Sequence, residues 1–89
     1  MKGIITVVGK DKVGIIGRVC TLLSEKQINI LDISQTILQG YFNMMMIVDL
    51  SQSTVSFDKV VDALEELGHE IEVDIRLQHE AIFDSMHRI

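Results

Sequence analysis

The hydrophobic period of this chain switches from two residues to 3.6 and back, and then repeats the switch, so that strand–helix–strand is written twice along one short sequence. Few compact folds accept that order. The first unit opens with Ile4, Ile5, Val7 and Val8 between Gly3 and Gly9, a β-rich run that predicts a strand covered on both faces in a sheet interior. From Ile15 the apolar residues fall at Ile15, Val19, Leu22 and Leu23, widened by Ile16 and Cys20, and the spacing predicts a helix to about Lys26. Ile28 to Leu38 is β-branched and roughly alternating. Leu31, Ile33 and Ile37 fall on one face and Asp32, Ser34 and Thr36 on the other, as expected of an edge strand with one wet face.

Gln39 and Gly40 then predict a tight hairpin into Tyr41 to Leu50, where Phe42, Met44, Met46, Val48 and Leu50 share one face. After the polar stretch Ser51 to Ser56, Ser56 is the expected N-cap of a second helix, with Asp58 in its first turn. Phe57, Val60, Val61, Leu64 and Leu67 form that helix's core stripe, and Gly68 is its expected C-terminal cap. Ile71, Val73, Ile75 and Leu77 alternate with Glu70, Glu72, Asp74 and Arg76, the pattern of a half-buried strand at the other edge. The tail, Gln78 to Ile89, sets Ile82, Phe83, Met86 and Ile89 at helical spacing and ends with Asp84 and Arg88 as an i,i+4 pair.

The resulting order β-α-β-β-α-β is that of an α+β, ferredoxin-like sandwich. Right-handed crossovers place both helices on one face of a four-stranded antiparallel sheet, with a short C-terminal helix added. If Met44 and Met46 face the helices, Tyr41, Met45 and Ile47 point to the opposite face, where a partner subunit or the tail is the expected cover. One domain over 1–89 is expected, with a core over 2–78 and a tail over 79–89. A chain of 89 residues has no room for a catalytic domain beside a regulatory one, because independent domains need about 50 residues or more each.

With 47% apolar residues and a mean hydropathy of +0.30, the chain has more apolar surface than one small core hides, which favours a homodimer or higher homo-oligomer. The net charge is −5 and no run of Lys or Arg occurs, so direct nucleic-acid binding is not expected. Cys20 stands alone and cannot close an intrachain disulfide, which fits the cytoplasm. The run Ile4 to Val8 is too short for a signal-peptide core, and no later stretch approaches membrane-spanning length, so a soluble, unexported chain is expected.

Gly9-Lys10-Asp11-Lys12-Val13-Gly14-Ile15 joins the first strand to the first helix and places the backbone N–H groups of Gly14 and Ile15 at a positive helix terminus, suited to a carboxylate. A tight turn capped by Asp11 is the plainer alternative. The order of a phosphate-binding loop is absent. Asn29 opens the second strand, expected at the same end of the sheet as Gly14, either as a two-way amide for a ligand or as a turn former. His69, His79 and His87 have no metal-ligand spacing and are expected to be solvated, Met44 to Met46 read as core or interface, and no nucleophile, base and acid converge. No catalytic residue, cofactor or metal is therefore expected.

The run Asp11-x-x-Gly14-Ile15, a helix, and Ile28-Asn29-Ile30 with Asp32 beyond it resembles the ACT domain over Lys2 to Gln78. With its Met86-His87-Arg88-Ile89 ending, the chain is similar to short stand-alone ACT proteins and to the ACT halves of the glycine cleavage system transcriptional repressor. The resemblance implies an amino-acid ligand between subunits, touched by the loop ahead of the first helix and by the start of the second strand. Carried over residue by residue, the site is Asp11, Val13, Gly14, Ile15, Asn29 and Ile30. Val13 stands where the family often has Pro, leaving the loop less pre-organised, and Gln27 stands where Gly often ends the first helix. The implied function is a non-enzymatic regulatory module that binds a small ligand, with a regulated protein partner. The alternative is a ligand-free interaction adaptor on the same fold.

Overall fold

The computed structural model describes residues 1–10 and 12–81. Asp11 and the expected apolar face of the tail, Ile82, Phe83, Met86 and Ile89, lie outside the described residues. The elements follow the expected order: β1 Lys2–Lys10, α1 Ile15–Glu25, β2 Asn29–Leu38, β3 Tyr41–Asp49, α2 Phe57–Ile71 and β4 Asp74–His79. The four strands form one sheet in the order β2-β3-β1-β4, with every neighbouring pair antiparallel. β1 is interior and β2 and β4 are the edges, as the hydrophobic patterns require.

Register decides which side chains meet. Ile5 pairs with Met46 and Leu77, and Val7 with Met44 and Ile75, so these residues share the face that carries the core. Ile15, Val19 and Leu23 of α1 and Val60, Leu64 and Leu67 of α2 close over them. Burying a side chain of this size contributes about 1.5–3 kcal/mol, and the layer as a whole holds the domain together. The hairpin is made as expected, Gln39 and Gly40 both taking positive φ (52° and 81°), the turn whose twist matches its strands. Ser56 caps α2 by accepting a hydrogen bond from Lys59 N–H at 3.4 Å.

Three expectations are corrected. Gly68 does not end α2, which continues one turn to Ile71 because Leu64, Leu67 and Ile71 extend the same stripe. The terminating residue is Glu72, at φ 59°, and the N–H groups of Glu72 and Val73 both donate to Gly68 O. A Cβ on Gly68 would sit 2.6 Å from Val73 O, so glycine is there for the close approach of the returning chain. Ile71 consequently belongs to α2, and the edge strand starts only at Asp74.

The third correction concerns β2, which was expected to wet one face and wets both. Only Ile30 is half-buried, while Ile33 and Ile37, on the helix side opposite Met46 and Phe42, stay 42% and 53% exposed. The buried core draws on β1, β3 and β4 together with both helices and on no residue of β2, so the far edge is left bare. A register shift between Ile30 and Asp32 makes Leu31 the extra residue of a β-bulge, which removes it from the alternation with Ile33 and Ile37. On the sheet's outer face Ile4, Thr6, Val8 and Lys10 line up with Ile47, Met45, Asn43 and Tyr41, so Tyr41, Met45 and Ile47 point away from the helices.

Candidate functional site

The loop between β1 and α1 is built around Gly14, which takes φ 91° as the N-cap of α1 and has no side chain to cap it. No acidic residue stands in the first turn, so nothing within that turn offsets the positive end of the helix dipole at the N–H groups of Ile15, Ile16 and Gly17. Arg18 N–H closes the first intrahelical bond onto Gly14 O at 2.9 Å. Ile15 is buried and anchors the loop in the core, while Val13 is fully exposed.

Two ties fix this loop to α2. Lys12 Nζ donates to Ile71 O at 3.3 Å and stands 3.6 Å from Glu72 Oε1, placing a cation on the negative end of α2. Arg18 pairs with Glu70. Both pairs, one from the loop and one from the first turn of α1, are largely solvated and contribute little to stability, about 0–1 kcal/mol.

The other half of the expected site lies elsewhere. Asn29 is exposed at the start of β2 and Ile30 beside it is half-buried, in a shallow cleft with Cys20, Ser24, Gln27, Ile28 and Gln52. Gln27 turns the chain from α1 into β2 at φ 60°, a left-handed conformation that costs about 1–2 kcal/mol for a residue with a Cβ. That conformation explains why a glycine suits the position. Asn29 pairs with Asp49, and Asp49 with Lys2, whereas Gly14 follows Lys10, which pairs with Tyr41. Asn29 and Gly14 are thus at opposite ends of the sheet, separated by the length of α1, about 16 Å, and not at the same end as expected. A connection of a few residues at each end of a helix that runs the length of the sheet allows nothing else.

Sequence reasoning missed the polar neighbours of Asn29. Ser24 and Gln52 join it from α1 and the β3–α2 connection, and Asp49 is its cross-strand partner. The backbone N–H of Ser51 donates to Asp49 Oδ1 at 3.0 Å and holds its carboxyl below the ordinary carboxylate range, helped by the Ser51 hydroxyl, the N-terminal ammonium and Lys2. The signal was present: an Asp two residues before a Ser in a turn invites this local bond. His79 also departs from expectation, since its ring is half-buried and stacks on Phe57 with centroids 4.2 Å apart. Among the described residues no group of three His, Cys, Asp or Glu is placed to hold a metal ion, and no helix is long and apolar enough to cross a membrane.

Comparison with known proteins agrees with this architecture. The family model described as an ACT domain matches residues 3–78. A UPF0237 protein of Clostridium acetobutylicum is 61% identical over the full length of both chains. Among solved structures, an ACT domain protein from Streptococcus pneumoniae superposes with a TM-score of 0.82 at 46% identity, covering 93% of each chain. A putative glycine cleavage system transcriptional repressor superposes at 0.73 with 24% identity, over 86% of this chain and 44% of that one. The regulatory subunit of aspartate kinase from Thermus thermophilus superposes at 0.66 with 26% identity, over 86% and 50%. The chain belongs to the ACT domain family.

Proposed function

We propose that this chain is a cytoplasmic, non-enzymatic regulatory module that binds an α-amino acid or a similar small carboxylate between two copies joined through β2. The observation that carries this reading is the bare edge: β2 is a ten-residue edge strand paired with β3 on one side only, with Leu31, Ile33, Ile37 and Leu38 all exposed. A long apolar edge is a liability in a monomer and a template for a second strand. A two-fold axis through the middle of β2 pairs it antiparallel with its copy. Asn29 of one chain then comes to the Leu38 end of the other, which is the end where the Gly14 loop stands. The two half-sites that one chain keeps apart are in this way brought together twice per dimer.

In this site the N–H groups of Gly14 and Ile15 hold the carboxylate at the helix terminus. Asp11 takes the ammonium, Asn29 and Ile30 come from the other subunit, and Val13 covers the ligand. Support for regulation comes from the similarity to the regulatory subunit of aspartate kinase, and a regulated protein partner follows from the same reading. The test is a thermal-shift screen of the purified protein against the common amino acids, followed by calorimetry, because a ligand that binds only the native state raises its stability. One amino acid is expected to raise the melting temperature and to bind with a stoichiometry of one per chain. If none binds at millimolar concentration while the dimer persists, the protein is the ligand-free adaptor.

A further inference from the structure

The helix-side face of β2 is an apolar shelf. Ile33, Gln35 and Ile37 pair with Met46, Met44 and Phe42, the buried row of β3, so they lie on the side that carries the helices, yet Ile33 and Ile37 stay exposed. Gln35 is the one polar member between them. The wall beside the shelf is α1, where Ile16, Cys20 and Ser24 follow at intervals of four residues and share one line of the helix. Cys20 and Ser24 line a cleft with Asn29 and Ile30 of β2, which turns this line toward the edge strand. Half-buried Ile16 therefore stands on the β2 side of α1, at the end of the sheet where Ile37 lies.

The described charges of the surrounding elements point elsewhere. Lys10 and Asp32 belong to the outer face of the sheet, opposite the helices. Lys12 and Arg18 are tied to the C-terminal turns of α2, and Glu25 and Lys26 line the groove between α1 and α2. When β2 pairs antiparallel with its copy, the two-fold axis keeps both helix layers on one side of the joined sheet. The shelf then becomes a groove, floored by Ile33 and Ile37 of both chains and walled by the two copies of α1. Its Ile16 directly follows Gly14 and Ile15, whose N–H groups take the ligand's carboxylate in the proposed site.

We propose that this groove receives the side chain of the ligand and selects an aliphatic amino acid, of the valine, leucine or isoleucine kind, with Ile16, Ile33 and Ile37 as the residues that determine specificity. The inference rests on the amino-acid site and the β2 pairing of the proposed function and names the ligand class of that site. An aliphatic side chain removes exposed isoleucine surface from water together with its own. An acidic or basic side chain would lose its hydration there without meeting a partner, and glycine or serine would leave the floor uncovered.

The test is calorimetric titration of the full-length wild-type protein with each of the twenty common amino acids under one set of conditions. Valine, leucine or isoleucine should bind tightest, about tenfold or more ahead of alanine, with aspartate and lysine weaker still. A non-aliphatic amino acid that binds as tightly or more tightly would overturn the aliphatic assignment and leave the amino-acid site standing. No binding by any of the twenty at millimolar concentration would refute the site itself, and this inference with it. An Ile16→Ala variant, shown by sedimentation to keep the wild-type assembly, should weaken the aliphatic ligand about tenfold and alanine far less. Thr21→Ala, on the α2 side of the same helix, should change neither. Equal losses for both ligands in Ile16→Ala, or none, would count against the groove as the seat of the side chain.

Discussion

Replacing Gly68 by alanine should destabilise the protein, although alanine is the better helix former. Gly68 lies inside α2, where propensity alone favours Ala by about 1 kcal/mol. Against that, an added Cβ would stand 2.6 Å from Val73 O and 3.4 Å from Ile75 Cγ1. Val73 O is backbone and cannot rotate away, so the α2–β4 connection has to move. Overpacking of this kind costs about 1–3 kcal/mol. The same movement strains the two bonds that Glu72 and Val73 donate to Gly68 O, each worth about 1 kcal/mol. The balance is a net loss of about 1–3 kcal/mol. Gly17 supplies the control: it is helical and exposed, and an added Cβ meets nothing within 4 Å, so Gly17→Ala should gain about 0.5–1 kcal/mol. Urea unfolding at one fixed protein concentration reads both changes as shifts of the midpoint at constant slope. Stabilisation by Gly68→Ala as large as that by Gly17→Ala would refute the close-approach explanation.

Leu64 is fully buried at the centre of α2, so Leu64→Ala should cost about 2–5 kcal/mol in the same assay, and exposed Glu65→Ala almost nothing. Because the Asp49 carboxyl is held below its ordinary value, its contribution to stability is present above about pH 3.9 and is lost as the pH falls through the folded value. Asp49→Asn should therefore flatten the stability–pH curve below about pH 4, and an unaltered acid limb would contradict the assignment. Ile33→Lys and Ile37→Lys place charge on the bare edge and should shift sedimentation from dimer toward monomer without loss of helix signal. A dimer that survives both changes pairs through another surface.

Much of this architecture was written in local patterns. The hairpin, the Ser56 cap and the buried face of Phe42, Met44, Met46 and Val48 each depend on side chains a few residues apart, and all three formed as the spacing required. Gly68 misled because a glycine near the end of a polar-faced helix signals a cap, while its real constraint, Val73 O, arrives only after the chain turns back. Leu31 misled because a bulge leaves the composition of a strand unchanged and alters only its pairing. The candidate site residues could be named one by one from the sequence, but the placing of Gly14 and Asn29 at opposite ends of the sheet could not. That distribution follows from α1 spanning the sheet between Gly14 and Asn29, a length set by the fold and not by either motif.

The claim that two chains complete each site can be tested by complementation. Chains carrying Asp11→Lys, which repels the ligand ammonium, and chains carrying Asn29→Ala should each fail to bind as pure dimers. Mixed after partial unfolding and refolded together, they form a dimer in which one site joins an intact loop to an intact Asn29. Random pairing makes half of the dimers mixed, each with one working site of two, so calorimetry should recover about a quarter of the wild-type binding sites at wild-type affinity. No recovery on mixing, with mixed dimers verified by mass spectrometry, would show that the loop and Asn29 do not meet across the subunit interface.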